Sequence, residues 1–447
     1  MTTTSELARH FSAVDPSALP HAGLAEMRRL LLDYFGVATA GSQAESGRIA
    51  GEFVVQIGGH AQATVIGRGE RVPAIHAAFA NAIAEHSIEL DDVDDEALFH
   101  YGPPVVSAAL AVAEWQHASG DELLTAMLLG CEMMNRLSLA TNPALRNRGF
   151  HTTPTCGVFG ATVAAGRLLH LGPEEMTSAL GLAGAQASGL MEMYGPSMQK
   201  RINPGPAARN GVTAAVLAGM GYTGADTILE GERGFGIAFS GHLDETKLLD
   251  GLGVEFPVPV EYKARSAARP IHNAIDCALV LRAEEQFNHE RVTSIVVTRH
   301  PDWSNYHRNP RPRTVHEAQM SLPYSVAVAL VEGAALPPQY ADEQLARPEL
   351  VRLSELVRIE TDPHLPRGVS CRMDVTTTDG SSYSSAVDDA KGSLGNPMSD
   401  TELGEKFSML ASPVLGEKRA EVIKESIAGV SDLEDVGALV ALFVPER

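Results

Sequence analysis

The sequence predicts a mainly α protein: a large all-helical domain assembled from N- and C-terminal segments, with a smaller α+β lid domain between them. Two observations predict it. Apolar residues recur at three- and four-residue spacing through most of residues 1 to about 260 and again beyond Asp400, the period of helices with one buried face. Near residue 260 the pattern turns β-branched and alternating, the period of strands. The expected limits are 1–264 for the first helical segment, 265–395 for the lid and 396–447 for the returning helices.

Six helices read out of the first segment: Leu24 to Ala40, Pro73 to Ile88, Val105 to His117, Leu123 to Ala140, Val158 to Leu169 and Pro173 to Leu190. Gly and Ala are common within them, which suits closely packed buried helices. Gly172-Pro173-Glu174-Glu175 is a start signal, because a first turn needs no N–H from Pro and favours negative charge. Ala63 to Gly67 reads as a short strand. In the middle segment, strands are expected at Val292 to Thr298, Val357 to Glu360 and Val369 to Thr377, the last turning at Thr378-Asp-Gly380 into Ser381 to Val387. Helices are expected at Asn273 to Gln286, Tyr324 to Glu332 and Ala341 to Leu345. Glu402 to Leu410, Gly416 to Ile427 and Asp435 to Phe443 complete the chain.

The 447 residues are 44% hydrophobic and 20% charged, as in a globular protein with a large core. A formal net charge of -21 argues against a nucleic-acid partner or a polybasic membrane surface, since phosphate attraction needs a cationic face. A pocket with a few Lys and Arg can still take an anionic small molecule. Cys131, Cys156, Cys277 and Cys371 form no CxxC pair, so reduced thiols are expected rather than a disulfide framework or zinc site. The N-terminus lacks the plan of a signal peptide, and no run approaches the ~20 apolar residues that span a bilayer. A cytoplasmic protein is expected.

The chemistry concentrates in His86-Ser-Ile-Glu-Leu-Asp-Asp-Val-Asp-Asp-Glu-Ala-Leu-Phe-His100, where eight of fifteen residues are ionisable. The run interrupts apolar sequence and carries a His at each end, which fits an active-site loop better than a solvated turn. Gathered acids need a cation or a proton to offset them. Asp91-Asp-Val-Asp-Asp95 also fits a magnesium-diphosphate pattern. Aromatics make up only 5% of the chain and a second metal motif is missing, so no metal is expected. His151 precedes a small-residue helix, where it could equally cap or fill space. Lys200 lies in a Gly/Pro-rich loop before a helix, a place suited to an anion. Lys263, Arg265, Arg269 and His272 fall within ten residues at the expected domain junction, where ligands commonly bind. Tyr324 starts a helix.

Together these segments resemble the MmgE/PrpD family, which includes 2-methylcitrate dehydratase, cis-aconitate decarboxylase and iminodisuccinate epimerase. The resemblance runs nearly end to end: Leu31 to Gly41, Ala78 to Ala82, Glu85 to Asp92, Gly157 to Ala161, Lys200, Ala207 to Gly211, Lys263 to Asp276, Ser321 to Tyr324 and Asn396 to Asp400. It implies a homodimer of two-domain subunits with no metal or organic cofactor. It also implies catalytic roles for His100, His151, Lys200, Lys263 and Tyr324, with Glu89, Asp91, Asp92, Arg269 and His272 binding substrate or orienting these groups. Departures fall in the expected pocket: Tyr101-Gly102-Pro103 replaces the usual His-Pro-Ser, Val93 a common Thr, and Ala264 to Ala268 the usual Pro-Tyr-Pro-Cys-Cys.

The family's reactions place negative charge on carbon beside a carboxylate, which requires fixed cations in a dry site. Lys200, Lys263 and Arg269 are expected to hold carboxylates, one histidine to move the proton, and the other histidine or Tyr324 to protonate a leaving hydroxyl. The favoured expectation is a hydro-lyase acting on a citrate-like polycarboxylate. A decarboxylase or epimerase on the same scaffold, or a noncatalytic ligand-binding paralogue, are the alternatives.

Overall fold

The computed structural model describes residues 1–284, 287–303, 306–366 and 370–444. The chain divides into two compact units: residues 1–193, 199–260 and 399–447 form the first, and 194–198 with 261–398 the second.

The first unit is helical. Its main elements are α1 (Thr3–Ala13), α2 (His21–Gly41), α3 (Glu45–Ile57), α4 (Ala74–Glu85), α5 (Ser107–Gln116), α6 (Gly120–Thr141), α7 (Thr152–Leu168), α8 (Pro173–Gly184), α9 (Gln199–Ile202) and α10 (Pro204–Gly219). A two-residue ladder pairs Ala63 and Thr64 with Val72 and Arg71. The small residues of α6 and α7 have a packing role. A Cβ on Gly130 would lie 2.7 Å from the Gly160 carbonyl oxygen, and one on Gly160 would lie 2.6 Å from that of Gly130. The two backbones therefore meet without side chains between them. Ser119 and Glu122 form a capping box that starts α6.

Some element limits differ from expectation. The helix expected from Val158 begins at Thr152, directly after His151, because Pro154 falls in the first turn, where a helix tolerates it. The helix expected to reach Leu190 stops at Gly184, and Leu190 pairs instead with Phe150. Asp435 to Phe443 forms only two short turns, Gly437–Val440 and Ala441–Phe443.

The second unit is α+β. It contains α11 (His272–Arg282), β1 (Val292–Arg299), α12 (Leu322–Glu332), α13 (Pro348–Leu356), β2 (Val357–Thr361), β3 (Cys371–Thr377) and β4 (Ser382–Val387). The sheet order is β2-β1-β3-β4, with β1 and β2 parallel and the other pairs antiparallel. Ile295 faces Val375 and Val297 faces Met373. These four residues share one core with Ile275 and Ala278 of α11 and with Val326, Ala329 and Leu330 of α12. Val369 and Gln286, ends of two expected elements, lie outside the described residues.

The chain returns to the first unit as α14 (Asp400–Leu415) and α15 (Glu417–Ala428). Gly36 of α2 lets α14 approach closely, since a Cβ there would stand 3.2 Å from the Phe407 Cα. No helix among the described residues is long and apolar enough to cross a membrane.

Candidate active site

The acidic run is a buried loop. α4 ends at Glu85, one tight turn covers His86 to Ile88, and Glu89 then takes a left-handed conformation with φ 54° and ψ 35°. That conformation is uncommon for a residue with a side chain. It reverses the chain so that Glu89, Asp91 and Asp92 follow one another into the interior, each at most 1% exposed. Two sets of cations hold the loop. Glu89 is paired with Lys200 and Arg201, both on α9. Behind it, the Lys406 ammonium of α14 donates to the Leu90 carbonyl at 2.7 Å and pairs with Asp33 at 2.6 Å. Lys200, expected in a loop, therefore sits on a helical turn.

Asp91 lies between two imidazoles. Its Oδ2 is 2.6 Å from His86 Nδ1 and 3.3 Å from His100 Nδ1. The His100 Nδ1 also meets the Asp92 carbonyl oxygen. Both neighbours of that nitrogen are acceptors, so it carries the proton and His100 Nε2 presents a lone pair. By the same accounting His86 donates from Nδ1 to Asp91, while its Nε2 faces Lys200 Nζ at 3.3 Å and accepts from it. His151, the residue before α7, is reached at Nδ1 by the Asn203 amide at 3.0 Å. The Asn203 amide also contacts the Met193 sulfur at 3.1 Å, which suits an N–H donor, so His151 carries its proton on Nε2. Ring centroids lie 5.1 Å apart for His86 and His100, and 6.4 Å for His86 and His151.

Burial, then Lys200, depresses the His86 pKa to about 4, against the pull of Asp91 and Glu89. His151 is held well below the usual histidine range by burial, helped by His86, Lys200, His100 and Arg146. Asp92 is pushed up to about 8 by burial and by Asp91, although the Tyr101 and Gly102 amides donate to its two oxygens at 2.7 and 2.8 Å. Gly102 has no room for a side chain: a Cβ would lie 2.7 Å from both Asp92 Oδ1 and Glu85 Oε1. Tyr101 donates its hydroxyl to Asp94 at 2.7 Å, and Asn135 donates to the same carboxylate. The Tyr-Gly replacement in the sequence thus has a packing reason.

These shifts fix a stability profile. His86 and His151 stay neutral in the fold at pH values where the unfolded chain, with histidines near pH 6.5, binds protons. His272 of the second unit does the same, its pKa held low by burial and by Arg269 and Lys263. Their contribution is therefore lost as pH falls from about 6.5 toward 4, with His86 alone costing about 2 kcal/mol at pH 5. Asp92 acts oppositely: its proton, kept in the fold up to about pH 8, favours the folded state less as pH rises from 4 to 8. The thermal midpoint should peak near pH 6.5 and fall steeply below pH 6. A scanning-fluorimetry midpoint that rises between pH 6.5 and 5 would contradict these assignments.

The remaining candidates belong to the second unit. Lys263 is buried there. Arg269 pairs with Glu261 at 3.1 Å, and His272 Nε2 faces the Ala267 carbonyl at 3.0 Å. The Tyr324 hydroxyl donates to the Gln339 carbonyl at 3.1 Å, and burial raises its pKa. The cysteines are free.

The magnesium pattern in the acidic run has a different use in the fold. Asp91 meets the histidines, Asp92 the backbone amides, and Asp94 Tyr101 and Asn135, so these three carboxylates are turned to different partners. His86, Asp91 and His100 do bring three ligand-type atoms within 4.8 Å of one another. An ion bound through the two Nδ1 atoms would have to displace the protons assigned to them.

Sequence reasoning did not single out His86, Arg201, Asn203 or Lys406. His86 had a signal, since it opens the charged run, and Arg201 adjoins Lys200. Lys406 had none, being 316 positions from the carbonyl it holds.

The helical unit thus gathers imidazoles, carboxylates and an ammonium side by side, groups suited to acid–base chemistry. The chain belongs to the MmgE/PrpD family: residues 5–246 match its N-terminal domain and 266–432 its C-terminal domain. It is 28% identical to the cis-aconitate decarboxylase of Homo sapiens over 431 residues, covering 93% of this chain and 89% of that protein. It is also 28% identical to the cis-aconitate decarboxylase of Aspergillus terreus over 467 residues, covering 98% and 95%. By family, this chain is an enzyme of the lyase class.

Proposed function

We propose that this protein is a decarboxylase of a cis-aconitate-like unsaturated polycarboxylate, working through a carboxylate-stabilised carbanion. One observation carries the choice: of the three clustered imidazoles, His100 alone is arranged to change charge. Asp91 and the Asp92 carbonyl both support its Nδ1–H. His86 faces an ammonium and His151 an amide donor, and both are held neutral.

Decarboxylation needs one proton carrier. The C–C bond breaks, carbon dioxide leaves without the electron pair, and the pair spreads onto the remaining carboxylate oxygens. The protonated His100 then gives its Nε2 proton to carbon. Lys200 stabilises the developing negative charge, and His151 donates a neutral hydrogen bond from Nε2. Glu89 holds Lys200, Asp91 orients His100, and Asp92 supplies the carbonyl that completes its tautomer.

The hydro-lyase reading favoured by the sequence stands second. Dehydration needs a base and a separate acid for the departing hydroxyl, and Tyr324 donates its proton to a backbone carbonyl. A homodimeric, cytoplasmic enzyme completes the proposal, with the mass in solution to be read by sedimentation.

The test is incubation with unsaturated and hydroxy polycarboxylates, followed by NMR and carbon dioxide release. Loss of one carboxyl with gas release is expected, unchanged by EDTA. An alkene formed from a hydroxy acid without gas would make the protein a dehydratase, and deuterium exchange without net product an epimerase. No turnover across the panel would overturn the decarboxylase reading, and EDTA sensitivity would revive a metal.

A further inference from the structure

His86 is fully buried, and both of its ring nitrogens are engaged by groups the proposed reaction uses. Nδ1 takes the closer approach to Asp91 Oδ2, 2.6 Å against 3.3 Å for His100 Nδ1, on the same oxygen. A carboxylate oxygen that already receives one strong hydrogen bond offers less to a second donor. Nε2 accepts from Lys200, which also pairs with Glu89.

We propose that His86 is a positioning residue: a permanently neutral imidazole that fixes the direction of Lys200 and, through its share of the Asp91 oxygen, restrains the proton affinity of His100. The proposal rests on the reading that Lys200 and His100 perform the reaction. Its physical content is a competition. With His86 in place, Asp91 divides its charge between two imidazoles. Without its Nδ1–H, that charge falls on His100 alone and raises its affinity for a proton.

The groups facing this pair come from three elements. The loop supplies Glu89, Asp91 and the Asp92 carbonyl, α9 supplies Lys200 and Arg201, and His151 stands before α7. Arg201 donates to the His86 carbonyl oxygen at 3.3 Å, which places a second cation beside the ring's own backbone. An imidazole between a carboxylate and an ammonium can keep one tautomer without becoming charged. Its low pKa, about 4, agrees.

Two substitutions separate the two contacts. The amide of His86→Asn reaches about as far as Nδ1 and can donate to Asp91, but not extend to Lys200. The amide of His86→Gln reaches toward Nε2 and can accept from Lys200, but leaves Asp91 to His100. His86→Gln is expected to move the His100 limb of the kcat/KM profile up by about one pH unit. His86→Asn should leave that limb in place and lower kcat/KM by ~10-fold or more through a displaced Lys200. Equal losses in both variants with an unmoved limb would mean a merely structural residue and overturn the proposal, as would two wild-type profiles.

A second measurement needs neither turnover nor variants. Nitrogen-15 shifts of histidine-labelled protein should give His86 as the neutral Nδ1–H tautomer from pH 5.5 to 8. A charged His86 at pH 6, or an Nε2–H tautomer, overturns the proposal even if the protein is a decarboxylase. The expected shifts would stand even if no substrate of the panel reacts.

Discussion

Replacing Lys200 by methionine is expected to lower kcat/KM by ~10³-fold, the scale seen when one preorganised stabiliser of developing charge is removed. The effect should fall mainly on kcat, because the ammonium is assigned to charge that appears as the bond breaks. The substitution also disturbs the fold. Glu89 is buried and left-handed, and it loses a cationic partner. Removing one partner of a buried ion pair costs several kcal/mol when nothing else serves the remaining charge. Arg201 stays in contact with Glu89, so about 1–3 kcal/mol is expected here. Lys200→Met combined with Glu89→Gln should recover much of that stability and none of the activity. That split separates a chemical role from a structural one. A single variant within threefold of wild-type turnover would remove Lys200 from the mechanism.

The parts of this molecule that could be read from sequence are those set by local pattern. The helix read as Leu24 to Ala40 is α2, His21–Gly41, because one face carries Met27, Leu30, Leu31, Tyr34 and Ala38 at helical spacing. β1 was legible because β-branched residues alternate in it. α3 was not read at all. It contains Gly47 and Gly51, which cost a helix about 1 kcal/mol each relative to alanine. Tertiary packing explains them: a Cβ on Gly47 would lie 2.1 Å from the Gly41 carbonyl oxygen, and one on Gly51 2.5 Å from the Arg68 side chain.

The site divides the same way. His100, His151, Asp91 and Lys200 could be chosen by residue type and position in the resemblance. Their partners could not. The contact of Lys406 with Leu90 depends on how α14 packs along α2, and the Asn203 contact with His151 depends on where α10 begins relative to α7. Sequence also left open which histidine moves the proton. The assignment proposed here rests on acceptors around one nitrogen, and the Asp92 backbone carbonyl is among them.

That accounting makes His100 and His151 unequal, and the difference can be measured. His100→Gln is expected to lower kcat by ~10³-fold and to abolish the histidine limb of its pH profile, since general acid–base contributions run to ~10²–10⁴-fold. His151→Gln should be milder, roughly 10-fold. A glutamine amide can replace a neutral N–H donor, and the group was never assigned a change of charge. The pH limb should survive in that variant, because the Asp91 and Asp92 contacts with His100 remain. The reverse result, a lost limb in His151→Gln and a kept one in His100→Gln, would exchange the two roles. It would also require the Asn203 amide to present its oxygen to His151, with the proton on Nδ1. Asn203→Asp tests that directly. A carboxylate beside Nδ1 can only accept, so it would force the proton onto that nitrogen, raise the pKa of His151 and turn its Nε2 into a base. On the assignment here, Asn203→Asp should lower kcat while adding a second titration to the profile. If His151 already carries its proton on Nδ1, the tautomer will not change.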